Sequence, residues 1–156
     1  MGTPIFSIVY LDAVAAAFRD VIRVYVVYSG DEPAAAAFVL FDGDTVEGLW
    51  LGSRGKFRRE YAGYVLYWDL IKDACELGFK KYHLGRSTVQ SGGEQFKKKW
   101  NAHATQLYWQ FILRNRTEVP QLNVQNPKYQ FAIKMWQRLP LGVAEAIGPY
   151  ISRNIP

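Results

Sequence analysis

Residues 45–85 read TVEGLWLGSRGKFRREYAGYVLYWDLIKDACELGFKKYHLG, and the class of fold follows from them. Thr45–Leu51 is rich in β-branched and aromatic residues and reads as a strand. Ser53–Arg59 is a basic loop. Gly63–Leu77 has helical spacing, with Leu66, Leu70, Ala74 and Leu77 on one stripe and Tyr67, Ile71 and Cys75 beside it, Cys75 reading as core. Gly78 stands where a helix-terminating glycine belongs, and Phe79–Leu84 reads as a second strand ended by Gly85. A basic loop that feeds a helix start presents unpaired backbone N–H groups and the positive end of the helix dipole together. This strand-loop-helix-strand unit is therefore the part of the chain best suited to hold a phosphate.

Outward from that unit, the pattern is strand and turn on one side and helix on the other. Tyr10–Arg19 carries Leu11, Val14, Ala15 and Phe18 at helical spacing. Val21–Tyr28 and Ala34–Phe41 read as strands, joined by Ser29-Gly30-Asp31-Glu32-Pro33, and Asp42-Gly43-Asp44 makes the next hairpin turn. Downstream, Ser91-Gly92-Gly93 reads as a flexible link, Glu94–Trp100 as a short helix, and the alternating Gln106–Leu113 as a long strand. Val119–Asn123 resembles a linker. Asn126 and Pro127 then suit the cap and first position of a helix over Tyr129–Leu139, which Pro140 breaks. Val143–Ile151 allows a further helical turn or two, interrupted by Pro149. The sum is an α+β chain with a mixed, mostly antiparallel sheet flanked by helices and an extra helical segment at the C-terminal end. The expected division is a domain over 1–118, with 119–156 a linker and a helical extension packing on it.

Composition narrows the class. The chain has 156 residues, 49% hydrophobic and 21% charged, which is a globular balance of single-domain size. A single cysteine excludes an internal disulfide, and two histidines with one cysteine argue against a classical zinc site. The longest uncharged runs are about half the length a membrane-spanning helix needs, and no signal peptide is visible, so a cytoplasmic setting is expected. Net charge is +5 and unevenly spread. Residues 1–50 hold 2 basic against 7 acidic side chains, 51–100 hold 11 against 5, and 101–156 hold 6 against 2. A basic middle points to an anionic ligand there.

Two cations stand out on their own chemistry. Arg86 follows a strand end and a glycine, a place from which a guanidinium can grip a phosphate or carboxylate in bidentate fashion. Lys97 lies between Phe96 and Trp100, and one of Lys97, Lys98 and Lys99 must project toward the sheet, where it is able to neutralise an anion or an oxyanion. Tyr67 belongs with Tyr64, Trp68, Tyr108 and Trp109 to a set of aromatics able to line a groove, or to fill a core.

A string of residues is also familiar. Leu66-Tyr67-Trp68-Asp69-Leu70-Ile71 leads to Tyr82-His83-Leu84-Gly85-Arg86-Ser87, then to Ser91-Gly92, Phe96-Lys97-Lys98 and Trp100. Asn126-Pro127-Lys128-Tyr129, Trp136, Leu139-Pro140-Leu141 and Gly148-Pro149 follow. Together they resemble the FemAB-like proteins of the GNAT acyltransferase superfamily, in particular the FemAB-related bacterial proteins of exosortase-linked gene systems. The resemblance implies a single GNAT-type fold with a splayed mixed sheet, the C-terminal member of what is normally a tandem pair. Such a half would pair with itself as a homodimer, or with another polypeptide, in place of the missing N-terminal domain. It implies transfer of an acyl or aminoacyl group to an amine of a cell-envelope or polysaccharide precursor, by the chain itself or by an enzyme of which it is one half. The donor would be anionic, either an acyl-CoA thioester or aminoacyl-tRNA. The acceptor amine must lose a proton and the oxyanion must be held, with no covalent nucleophile.

The resemblance also assigns candidates. Acyl-CoA binders of the superfamily place an Arg/Gln-x-x-Gly-x-Gly/Ala loop before the helix. Arg58-Arg59-Glu60-Tyr61-Ala62-Gly63 keeps the arginine and the last glycine but has Tyr61 at the middle glycine. Tyr61 is expected to obstruct close approach of a pyrophosphate. Arg58, Arg59, Arg86, Ser87, Lys97 and Tyr67 are thus candidate substrate or anion contacts. His83 stands where relatives have an aspartate and Glu94 where they have a tyrosine, so His83, Glu94 and Lys97 are the candidate catalytic residues. Two rival readings remain: a non-catalytic module that binds a partner or itself, and an RNA binder that stacks bases on its aromatics.

Overall fold

The computed structural model describes residues 6–108, 110–114 and 127–152. Residues 15–105 form one compact unit, and residues 1–14 with 106–156 form another. Helix α1 spans Ile8–Ala17. Strands β1 (Ile22–Ser29), β2 (Glu32–Asp42) and β3 (Thr45–Ser53) follow as an antiparallel meander. A 3-10 helix (Gly55–Glu60) leads into α2 (Ala62–Glu76), and β4 (Lys81–His83) returns parallel to β3. The sheet order is β1-β2-β3-β4. Helix α3 covers Gly92–Lys98, and in the other unit α4 covers Pro127–Gln137 and α5 Leu141–Ser152. This is the α+β architecture with a mixed, mostly antiparallel sheet that the sequence implies.

The turns explain the meander. Each hairpin is a two-residue loop with glycine first, Gly30 at φ +59° and Gly43 at φ +56°, a conformation that glycine adopts at no steric cost. Asp44, in the second loop, then fixes the parallel crossover. Its carbonyl accepts the amides of Lys80 (2.9 Å) and Lys81 (3.2 Å), and its carboxylate pairs with Lys81 at 3.4 Å. Thr45, Val46 and Glu47 are thereby set against Lys81, Tyr82 and His83.

Helix α2 covers one face of the sheet. Ala62, Leu66, Leu70 and Ala74 lie one helical turn apart and are buried against Ala35, Ala37 and Val39 of β2 and Val46 of β3. Small side chains on β2 let the helix sit close. Each buried leucine is worth about 2 kcal/mol by the area it removes from water. Gly78, at φ +83°, closes the helix: its amide bonds the Cys75 carbonyl at 3.0 Å and the Phe79 amide bonds the Ala74 carbonyl at 3.0 Å. These are the two bonds of a Schellman stop.

Five local expectations need correction. Leu77 is 46% exposed and Cys75 is exposed too, because the buried arc is narrow and both stand off its centre line. The basic loop coils into a 3-10 helix. Ser91-Gly92-Gly93 is the cap and first turn of α3, with the Ser91 hydroxyl accepting the Glu94 amide at 3.2 Å. Helix α5 runs through Pro149, which gives up only the bond to Glu145, near the helix end. The described part of Gln106–Leu113 pairs with no strand, and Tyr108 and Ile112 stand almost fully exposed. Alternation records two faces, whereas a strand also requires a ladder partner. The linker expected at 119–123 and the cap at Asn126 lie outside the described residues. No helix among the described residues is long and apolar enough to cross a membrane.

Candidate functional site

β3 and β4 stay together for only three rungs. The last is Glu47 opposite His83, after which, among the described residues, Gly48–Ser53 pair with β2 alone. A bulge at this point puts one extra residue, Leu49, between the pairs Val39–Gly48 and Phe38–Trp50, and bends the strand. The chain after β4 leaves through Gly85 at φ +70°, where a side chain would lie 3.5 Å from the Gly48 carbonyl oxygen. The apex of the opening thus lies between two glycines, Gly48 and Gly85. One wall is Gly48–Ser53 and the other is Leu84–Ser87.

At the apex, His83 Nδ1 lies 3.0 Å from Glu47 Oε1, with both residues partly open to solvent. The carboxylate fixes the ring and leaves Nε2 as the second nitrogen. The sequence alone does not single out Glu47. Its one signal was a carboxylate inside an otherwise apolar strand, and its partner is given only by the parallel register.

At the far end of the β3 wall, the strand meets the start of α2. A Cβ on Gly63 would stand 4.0 Å from Ser53 Oγ. Tyr61, the residue before α2, has φ +57° and ψ +25°, the left-handed turn natural to glycine. Its ring lies edge-on to Tyr64 at 5.8 Å. No side chain caps α2, and among the described residues the Ala62 and Gly63 amides have no backbone acceptor. Lys56 bonds Glu32, and Arg54 lies 3.9 Å from the same carboxylate, which these cations, Lys56 foremost, hold below its usual pKa. Arg58 and Arg59 are exposed, and no ion pair engages either of them among the described residues.

The other wall is tied by Lys97. Its ammonium donates to the carbonyls of Gly85 at 2.8 Å and Arg86 at 3.0 Å, and partial burial lowers its pKa. Glu94 accepts the Gln90 amide at 2.5 Å and lies 2.8 Å from Lys98 Nζ. The Lys98 bond first, and the Gln90 amide second, hold its carboxyl below the usual range. With Ser91 this is a capping arrangement whose Ser-x-x-Glu spelling is legible in the sequence. Arg86 is exposed, and Ser87 Oγ lies 3.5 Å from where a Cβ on Gly93 would be. Tyr67 is half-buried in an aromatic layer, 4.8 Å from Phe96 and stacked on Trp100 at 6.0 Å, and burial raises its pKa. Among the described residues no hydrogen bond or ion pair joins His83, Glu94 and Lys97 to one another. The structure instead brings His83 to Glu47, Lys97 to the Gly85–Arg86 backbone, and Glu94 to the start of its own helix.

Residues 2–98 match the family model of the acetyltransferase (GNAT) domain. The chain belongs to the GNAT acetyltransferase family. The match spans the meander, the 3-10 turn, α2, β4 and α3, so every part of the opening between β3 and β4 lies inside the GNAT domain. A general acyltransferase function goes with it. No curated protein matches the chain.

Proposed function

We propose that this GNAT domain transfers an acyl group from a coenzyme A thioester to an amine, with the donor laid along the free edge of β3. The observation that carries this reading is the left-handed turn at Tyr61. It gives the loop the backbone shape a glycine would give, and the Tyr61 ring folds onto Tyr64. Two amides without a backbone acceptor among the described residues begin a 15-residue helix, and Arg58 and Arg59 precede them in the chain, a combination that suits a pyrophosphate. At the apex, His83 Nε2 takes the proton of the acceptor amine while Glu47 steadies the resulting imidazolium. The amine nitrogen bonds to the acyl carbon, the C–S bond breaks, and the departing thiolate takes up a proton from solvent. Lys97 and Glu94 serve as positioning residues that hold the Leu84–Ser87 wall. The resemblance to FemAB-like proteins points to a cell-envelope or polysaccharide precursor as the amine.

The test is a thermal-shift titration with acetyl-CoA, with ATP as the phosphate control. At one hundred times Kd, a ligand of the folded state adds about 2.7 kcal/mol, which for a domain of this size is about 5–10 °C. A saturable rise with acetyl-CoA alone is expected, and Arg58→Ala with Arg59→Ala should abolish it without moving the midpoint of the free protein. No rise in the wild type would remove coenzyme A as donor. Steeply salt-dependent binding of aminoacyl-tRNA would then name the donor instead.

A second reading, self-association, has its own observation. β1 is an edge strand of eight residues, with Val24, Val26 and Tyr28 exposed on the face away from α2. Long apolar edges pair with other strands. Light scattering should then give a dimer mass that Val26→Lys reduces to the monomer, and a wild-type monomer at high concentration would end this reading.

A further inference from the structure

Two buried side-chain donors have no hydrogen-bond partner among the described residues, Tyr82 Oη and Trp100 Nε1. Folded proteins pair nearly all such groups, and leaving one unpaired costs about 1–3 kcal/mol. Tyr82 stands where the cost has a use. It lies in the middle of β4 opposite Val46, so its ring rises on the α2 side of the sheet, one residue before His83, which faces the other way. A Cβ on Gly48 would lie 3.4 Å from its hydroxyl oxygen, and Gly48 is the first residue of β3 beyond the last rung shared with β4. The phenol tip therefore lies buried next to the apex of the opening, against Gly48, and the end of the Leu51 side chain is the other group that covers that glycine. Burial raises the pKa of this phenol well above its ordinary value. Such a group is a poor source of a proton for a thiolate, but it remains an O–H donor at every pH where an amine can attack.

We propose that Tyr82 Oη donates a hydrogen bond to the carbonyl oxygen of the acyl group held between β3 and β4, and keeps that bond as the oxygen becomes an oxyanion. The inference rests on the acyl-thioester reading above. When the amine nitrogen bonds to the carbonyl carbon, the π pair moves onto oxygen beneath the Tyr82 hydroxyl. When the pair returns, the C–S bond breaks. Tyr82 keeps its proton throughout, so it acts by electrostatic stabilisation and not as an acid.

The experiment uses Tyr82→Phe in the full chain, with acetyl-CoA and free coenzyme A as two probes that differ only in the acyl group. The variant should lose about 3–10-fold in affinity for acetyl-CoA and nothing for coenzyme A. Its own melting midpoint should stay level or rise, because an unpaired buried hydroxyl has gone. Gly48→Ala keeps the hydroxyl but sets a methyl group 3.4 Å from it and displaces the end of Leu51, and should show the same selective loss. Equal losses for both probes, an unchanged acetyl-CoA affinity, or a lower midpoint in Tyr82→Phe would each overturn the proposal. A wild type that responds to neither probe would remove the acyl-thioester reading along with it. A wild type that responds, with a variant that matches it, would remove the Tyr82 assignment alone.

Discussion

The two walls of the opening are built by different physics. The β3 wall is backed by α2, which buries four residues against the sheet. The wall after β4 is backed by α3, which buries none, and depends on Lys97, the Ser91–Glu94 cap and edge-on aromatic contacts. Apolar burial spreads its energy over many contacts and is lost only when the domain unfolds. A few hydrogen bonds to exposed backbone can open one at a time. The comparison implies one fixed wall, where the donor lies, and one adjustable wall.

The largest effect should come from breaking the fixed wall. Leu70→Ala is expected to cost about 2–5 kcal/mol, read as a lower denaturant midpoint for the whole 15–105 unit. A loss confined to local probes near α2 would show that this wall is not the global core. Next comes Lys97→Met, which deletes both bonds to the Gly85 and Arg86 carbonyls but keeps the side-chain volume. It should cost about 1–3 kcal/mol and speed amide exchange over residues 84–98 before anywhere else. Uniform acceleration across the sheet would contradict an independently opening wall.

The smallest effect sharpens the comparison through pH. The Glu94 carboxyl is held below its ordinary pKa by Lys98 and the Gln90 amide. Its stabilising contribution is present above the unfolded value of about 4.5 and is lost as pH falls through the lower folded value. The wild type should therefore melt slightly above Glu94→Gln at pH 7, with the gap closing toward pH 3. A gap that widened in acid would reverse the sign and remove Glu94 from the cap.

Much of the fixed wall could be read in the sequence. The Leu66–Leu70–Ala74 stripe, the glycine turns and Gly78 are local rules, and each acts where its residues stand. The adjustable wall was less legible. Ser91-x-x-Glu94 spells a cap, yet the following glycines suggested a flexible link. The Glu47–His83 pair needs a parallel register that Asp44 sets from a turn distant in sequence. Tyr61 shows a third limit: composition argues against a left-handed tyrosine, but the chain accepts one where a short 3-10 helix must turn into α2. The absence of a strand among the described residues of 106–113 shows that a face pattern alone does not create a neighbour.

Cys75 gives the molecule a practical property. It is the sole thiol of the chain, and it is exposed one residue from the C-terminal end of α2. Ala62 lies thirteen residue steps back along the helix, about 20 Å along the axis. A dye or spin label joined there by maleimide chemistry would ride on the most firmly packed helix, well away from Arg58 and Tyr61. The unaltered chain thus carries its own reporter position, from which the movement of a second label on the Leu84–Ser87 wall can be measured as a distance.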